Sequence, residues 1–256
     1  MRSTQGVVSP SVVLENRDRT MSTTTQVMAH RGASKAAPAN TIEAFHLARR
    51  MGAHAVELDV RRCASGDLVV HHDPELPDGR IIAHLERTRL PSHVPTLDEA
   101  LDACGEMWVN VEVKNHRTEP DFDQDDLRTI AVLDVLRRRV ALHGDASRYL
   151  LSCFRRKTVD RVRVEWPSLP TAWLTVSVPD PTALARDLRQ AGHTAIHPEV
   201  SKVTPMLIRS FHAEGIKVNT WTCDDPERMR QLVEWGVDGI CTNVPDVALE
   251  VLRQFR

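Results

Sequence analysis

Two carboxylates, Glu57 and Asp59, stand two residues apart in the otherwise apolar run Val56-Glu57-Leu58-Asp59-Val60. In a β-strand, residues i and i+2 project to one face, so this pair shares a side while Val56, Leu58 and Val60 pack on the other. Like charges side by side repel, and a protein accommodates them most readily around a cation. A third carboxylate, Glu112, lies in another strand-like run, residues 108–114, with Lys114 on its own face by the same period of two. His30-Arg31 closes a short apolar strand, and His71-His72-Asp73 follows Leu68-Val69-Val70. His71 and His72 point to opposite faces, so at most one of them faces a site shared with the others. Three carboxylates, two imidazoles and two cationic side chains together fit a divalent ion held by oxygen ligands. Histidines would then transfer protons and basic groups would meet an anion. Each fragment alone has a plainer reading: a solvated strand edge, a hydrogen-bonded histidine, a loop-capping arginine, a Glu112–Lys114 salt bridge of small energetic worth. The plainer readings weaken because every fragment falls at the end of a predicted strand.

The elements that must position these groups alternate regularly. Strand-like runs at 26–29, 56–60, 108–114, 149–153, 171–176, 194–197, 216–221 and 239–242 are separated by amphipathic helical stretches. One such stretch, 42–51, is preceded by Asn40-Thr41, either of which can cap it, and is stopped by Gly52. A second begins after Thr96 with Glu99 three residues on, a capping-box pattern. Without the short 68–70 run the strands number eight, which predicts an α/β fold of the (β/α)8 TIM-barrel type, where strand C-termini converge on one mouth. The rival is an open doubly wound sheet. Its nucleotide-binding version is weakened because neither GxGxxG nor GxxxxGK[ST] occurs.

The chain has 256 residues, 41% of them apolar, and a formal net charge of −2. That suits one barrel with a substantial core and gives no electrostatic reason to expect nucleic acid as a partner. Five scattered cysteines without CxxC or zinc-like spacing suggest reduced thiols and a cytoplasmic setting. No apolar run reaches membrane-span length. Residues 1–26 are Ser/Thr-rich, with Val12-Val13-Leu14 too short for a signal-peptide core, and are expected to form a leader before a domain at 27–256. Met1 and Met21 are both candidate starts. Oligomeric state is left open.

The run AHRGASKAAPANTIEAFHLARRMGAHAVELDVRRCASGDLVVHHDPEL resembles the opening of the glycerophosphodiester phosphodiesterase family. The segments VPTLDEAL, VNVEVK, LSCF and VNTWTCDDPERMRQLVEWGVDGICTNVPD resemble later parts of that family, in the right order. The resemblance implies a barrel enzyme that releases an alcohol and glycerol 3-phosphate. By motif match it implies His30 and His72 as the catalytic pair and Glu57, Asp59 and Glu112 as ligands of one Mg2+ or Ca2+. It further implies Arg31 and Lys114 as groups approaching the phosphate and Trp221 as an aromatic near the substrate, although barrel packing explains Trp221 about as well. His30 is read as the base and His72 as the acid; whether water or a substrate hydroxyl is the nucleophile stays open. The sequence departs from the family pattern at Ala39, where glutamate is usual, and at Asn243 in the closing Thr242-Asn243-Val244-Pro245. The segment 73–95 is short for a lid, and its Ile81, Ile82, Leu85 and Leu90 suggest an open, partly apolar mouth that would admit a bulkier alcohol or a lysolipid. A lysophospholipase D or sphingomyelinase D-like barrel is therefore one alternative. A non-catalytic phosphodiester-binding barrel is another, disfavoured because both histidines and all three carboxylates are present.

Overall fold

A computed structural model of the chain describes residues 25–255. It contains nine strands: β1 (Gln26–His30), β2 (Ala55–Arg62), β3 (Leu68–Val70), β4 (Trp108–Val113), β5 (Tyr149–Cys153), β6 (Thr171–Thr175), β7 (Ala195–Pro198), β8 (Lys217–Thr220) and β9 (Gly239–Thr242). Eight of them run parallel in the order β1-β9-β8-β7-β6-β5-β4-β2, and pairing of β1 with β2 closes the ring. This is the expected (β/α)8 barrel. The short 68–70 run is β3, added antiparallel to the outer end of β2 through Val60–Val70 and Arg62–Leu68. The leader expected at 1–26 falls, for residues 1–24, outside the described residues. Thr25 and Gln26 belong to the barrel: Thr25 Oγ1 donates to the carbonyl of Val237, and Gln26 opens β1.

Eight α-helices cover the strands: α1 (Ile42–Met51), α2 (Leu97–Cys104), α3 (Leu127–His143), α4 (Arg156–Glu165), α5 (Pro181–Gln190), α6 (Pro205–Ala213), α7 (Pro226–Glu234) and α8 (Pro245–Arg253). Their starts are written in local chemistry. Proline opens α5, α6 and α7, where its fixed φ suits the first turn, and Asp180, Thr204 and Asp225 accept hydrogen bonds from the free N–H groups beyond it. Thr96 and Glu99 form the expected capping box on α2. Of the two candidates before α1, Thr41 is the cap, accepting from the Ala44 N–H; Asn40 is turned elsewhere.

The strands sort their side chains by alternation. In β2, Val56, Leu58 and Val60 pack outward under the helices with Phe45 and Leu97, while Ala55 joins Met28 and Cys241 inside the ring. Glu57, Asp59 and Arg61 therefore also face inward. The lower interior is filled by small residues, Ala172 and Ala195, with Leu150 and the Trp108 indole. The open upper end is left to polar groups.

Candidate active site

Glu57, Asp59 and Glu112 meet at that upper end: an oxygen from each lies within 4.8 Å of the other two, and all three are buried. Register explains the meeting, because Asp59 of β2 is the direct partner of Glu112 on β4. Lys114, just past β4, places Nζ 2.8 Å from Glu112 Oε1 and 3.5 Å from Asp59 Oδ1. Arg31, just past β1, places Nε 3.1 Å from Asp59 Oδ2. Two cations thus stand against three carboxylates. Burial, reinforced by the charges of Asp59 and Glu112, pushes the Glu57 carboxyl well above the usual range. Burial also raises Glu112 despite Lys114 beside it. Burial acts the same way on Asp59, but Lys114 and Arg31 outweigh it and hold Asp59 low.

Both expected histidines line the same cavity, with Arg31, Lys114 and Trp221. Its volume is about 100 Å³, and it runs inward past Asn110, His197 and Cys241. His30 ends β1 with Nε2 3.9 Å from Glu57 Oε2 and Nδ1 2.7 Å from Asn243 Oδ1. Burial, and then Arg31, lowers its pKa from the ordinary imidazole value. His72 pairs Nδ1 with Asp73 Oδ1 at 2.7 Å, and burial together with Lys114 and Arg31 lowers it despite Asp59. His71 is the outward neighbour and bonds to the carbonyl of Asp73. Trp221, directly after β8, donates from Nε1 to the His197 carbonyl (2.8 Å) and meets Phe154 edge-on with ring centres 5.2 Å apart.

The loop joining β1 to α1 is tightly built. Arg31 and Asn40 both adopt left-handed backbone, φ 58° and 61°, a conformation that non-glycine residues keep only when their surroundings impose it. The Arg31 N–H donates to Glu57 Oε2 and the Asn40 N–H donates to the Arg31 carbonyl. Asn40 Nδ2 then donates to Asp59 Oδ2 at 2.7 Å. Gly32 has to be glycine, since a Cβ there would lie 2.6 Å from the backbone of Ala44. Ala39 is exposed on this loop.

Sequence reasoning missed several residues of the site. Asn40 was readable only as a cap, although its place in Pro38-Ala39-Asn40-Thr41 was a signal. Asn243 Nδ2 donates to Asp224 Oδ2 at 2.7 Å, which orients the amide so that Oδ1 faces His30. Phe154 and Asp224 lie in the LSCF and VNTWTCDDPERM segments that resemble the family, but nothing in their residue type or spacing marked them as site residues. The apolar mouth expected from segment 73–95 is corrected: Ile82 and Leu90 are buried in a separate cluster with Cys63, Val69, Leu76 and Val94, and Leu85 packs on it. Apolar surface near the site comes instead from Phe154, Trp221 and the exposed Val176.

The profile of the "Glycerophosphoryl diester phosphodiesterase family" matches residues 30–247. A glycerophosphodiester phosphodiesterase of Caldanaerobacter subterraneus is 28% identical over 252 residues, covering 90% of this chain and 98% of that protein. One of Bacillus subtilis is 24% identical, covering 89% of this chain and 86% of that protein. In structure, an Oleispira antarctica phosphodiesterase solved with the product sn-glycerol-3-phosphate superposes with a TM-score of 0.80 at 24% identity. That match covers 89% of this chain and 96% of the other, and at this identity the likeness is one of fold.

Proposed function

The chain belongs to the glycerophosphoryl diester phosphodiesterase family, and we propose that it hydrolyses glycerophosphodiesters to an alcohol and glycerol 3-phosphate, with a divalent cation on Glu57, Asp59 and Glu112 and with His30 and His72 transferring protons. The observation that carries this reading is a cluster of three buried carboxylates, Glu57, Asp59 and Glu112, two of which, Glu57 and Glu112, line one cavity with both imidazoles, Arg31 and Lys114.

The carboxylates fit a hard cation. Glu57 Oε1 is buried without a hydrogen-bond partner, an arrangement that costs free energy unless something binds there. An all-oxygen donor set suits Mg2+ or Ca2+. When bound, the cation would stabilise negative charge gathering on the phosphoryl group. Arg31 and Lys114 add positive charge at the same place: the guanidinium offers a fork of donors, the ammonium a point charge.

The histidines divide the proton transfers by what stands behind them. Asp224 orients Asn243, and the amide oxygen accepts only from a protonated Nδ1 on His30. The lone pair of neutral His30 therefore lies on Nε2, facing Glu57, where it can take a proton from the nucleophile. His72 has a carboxylate behind it, Asp73, whose hydrogen bond opposes the lowering of the His72 pKa by burial and would stabilise the imidazolium that protonates the leaving alkoxide. Because Ile82, Leu85 and Leu90 pack into a separate cluster and only Ile81 of the four lies outside it, segment 73–95 lends little support to a lysolipid substrate.

The reading is tested by incubating the purified chain with glycerophosphocholine and Mg2+ or Ca2+. We expect choline and glycerol 3-phosphate, and no turnover in excess chelator. Turnover that survives the chelator removes the cation's role, and failure to cleave any glycerophospho-alcohol removes the activity.

A further inference from the structure

Arg61 stands on β2 two residues beyond Asp59 and four beyond Glu57, on the same inward face, and is completely buried. A buried guanidinium is tolerated only when its donors are matched, and here the matching groups belong to two different loops of the mouth. Nε and Nη2 both donate to the carbonyl of His72, at 2.8 and 2.5 Å. Nη1 donates to both oxygens of Asp121 at 2.9 Å, and Nη2 donates to Glu119 Oε1 at 2.9 Å. Asp121 in turn accepts from Arg128 Nη2 at 2.8 Å, and Arg128 Nη1 donates to the carbonyl of Lys114. One charge-balanced array thus runs from the backbone of His72 to the backbone of Lys114, two residues past Glu112. The His72 ring itself bonds to Asp73, whose side chain is 70% exposed. The firm hold on this histidine therefore lies in its backbone.

We infer that Arg61 is a positioning residue that sets the His72 imidazole against the leaving group by clamping the His72 carbonyl to the loop after β4. The inference rests on the function proposed above. Outer partners of catalytic groups are commonly worth about 10–100-fold in activity, and the loss should follow the demand for an acid. It should be large for an alkyl alcohol leaving group and small for p-nitrophenolate, which departs without a proton.

The test measures kcat and KM of Arg61→Met and Arg61→Lys with a divalent cation present, on glycerophosphocholine and on a p-nitrophenyl phosphodiester. Folding is checked by circular dichroism and cation affinity by calorimetry. Arg61→Met is expected to lose about 10–100-fold in kcat on glycerophosphocholine and much less on the p-nitrophenyl ester, with KM and cation affinity little changed. Arg61→Lys keeps the charge against Glu119 and Asp121 but cannot fork onto the carbonyl, so it should fall between wild type and Arg61→Met. If Arg61→Met does not fold, Arg61→Lys decides alone by the same leaving-group ratio. A folded variant with wild-type kcat on glycerophosphocholine, or an equal loss on both substrates, overturns the inference. A wild type inactive on both overturns the function on which it rests.

Discussion

His30 and His72 differ in what stands behind their Nδ1 atoms: an amide oxygen held by Asp224 for one, the carboxylate of Asp73 for the other. An amide fixes a tautomer without charge, whereas a carboxylate stabilises a cation. Asp73 reflects this, since its bond to His72 holds it below the ordinary carboxylate range although burial acts the other way. On the proposed division of labour, His30→Ala and His72→Ala should each lose about 10²–10⁴-fold in kcat on glycerophosphocholine. On a p-nitrophenyl phosphodiester only His72→Ala should recover, because that leaving group needs no acid. Steady-state rates of both variants on both substrates check this, and recovery by His30→Ala instead would reverse the roles.

At the scale of elements, the strands are legible in the sequence and the loops are not. Period-two alternation by itself puts Glu57 and Asp59 on one face, and the register of β2 on β4 brings Glu112 alongside Asp59. Asn243 is 213 positions from His30, so the two can be paired only once β9 is known to close on β1. Asn40 looks like a helix cap because cap and αL turn residue share a chemistry, and only the fold shows which role it takes. Segment 73–95 reads as mouth-lining because apolar residues without clear period look exposed until their own small core is seen. The joints between elements carry their own electrostatics. His212 of α6 meets Asp238, which precedes β9, at 2.7 Å, and Asp238 also accepts from the Val218 N–H of β8. The hydrogen bond to Asp238 raises the His212 pKa against the opposing effect of burial. A raised folded-state pKa stabilises below the unfolded value of about 6.5 and is lost as pH rises through the folded value. The difference in melting temperature between wild type and His212→Gln should therefore be larger at pH 6 than well above neutrality. An unchanging difference would show that the pair does not titrate with folding.

At the scale of the whole molecule, the barrel's closed ring and helix layer hold together a set of charges that repel one another. Burial and two like neighbours make the ionised form of Glu57 unfavourable, so the fold without a cation favours a proton there. The linkage sign follows: a carboxyl raised on folding contributes stability at low pH and loses it as pH climbs from the ordinary carboxylate value through the raised one. A cation competes with that proton, so its effect should grow over the same interval. At 100 times its dissociation constant a ligand adds about 2.7 kcal/mol, which for a chain of this size is about 5–10 °C in melting temperature. The wild type should show such a rise with Mg2+ or Ca2+ at neutral pH, shrinking as the solution is acidified. Glu57→Gln, which removes one of the repelling charges, should melt at or above the wild type in chelator, gain little from either cation, and be inactive. Equal cation-induced shifts in wild type and Glu57→Gln, measured by calorimetry across pH, would mean that the ion is held somewhere other than on these three carboxylates.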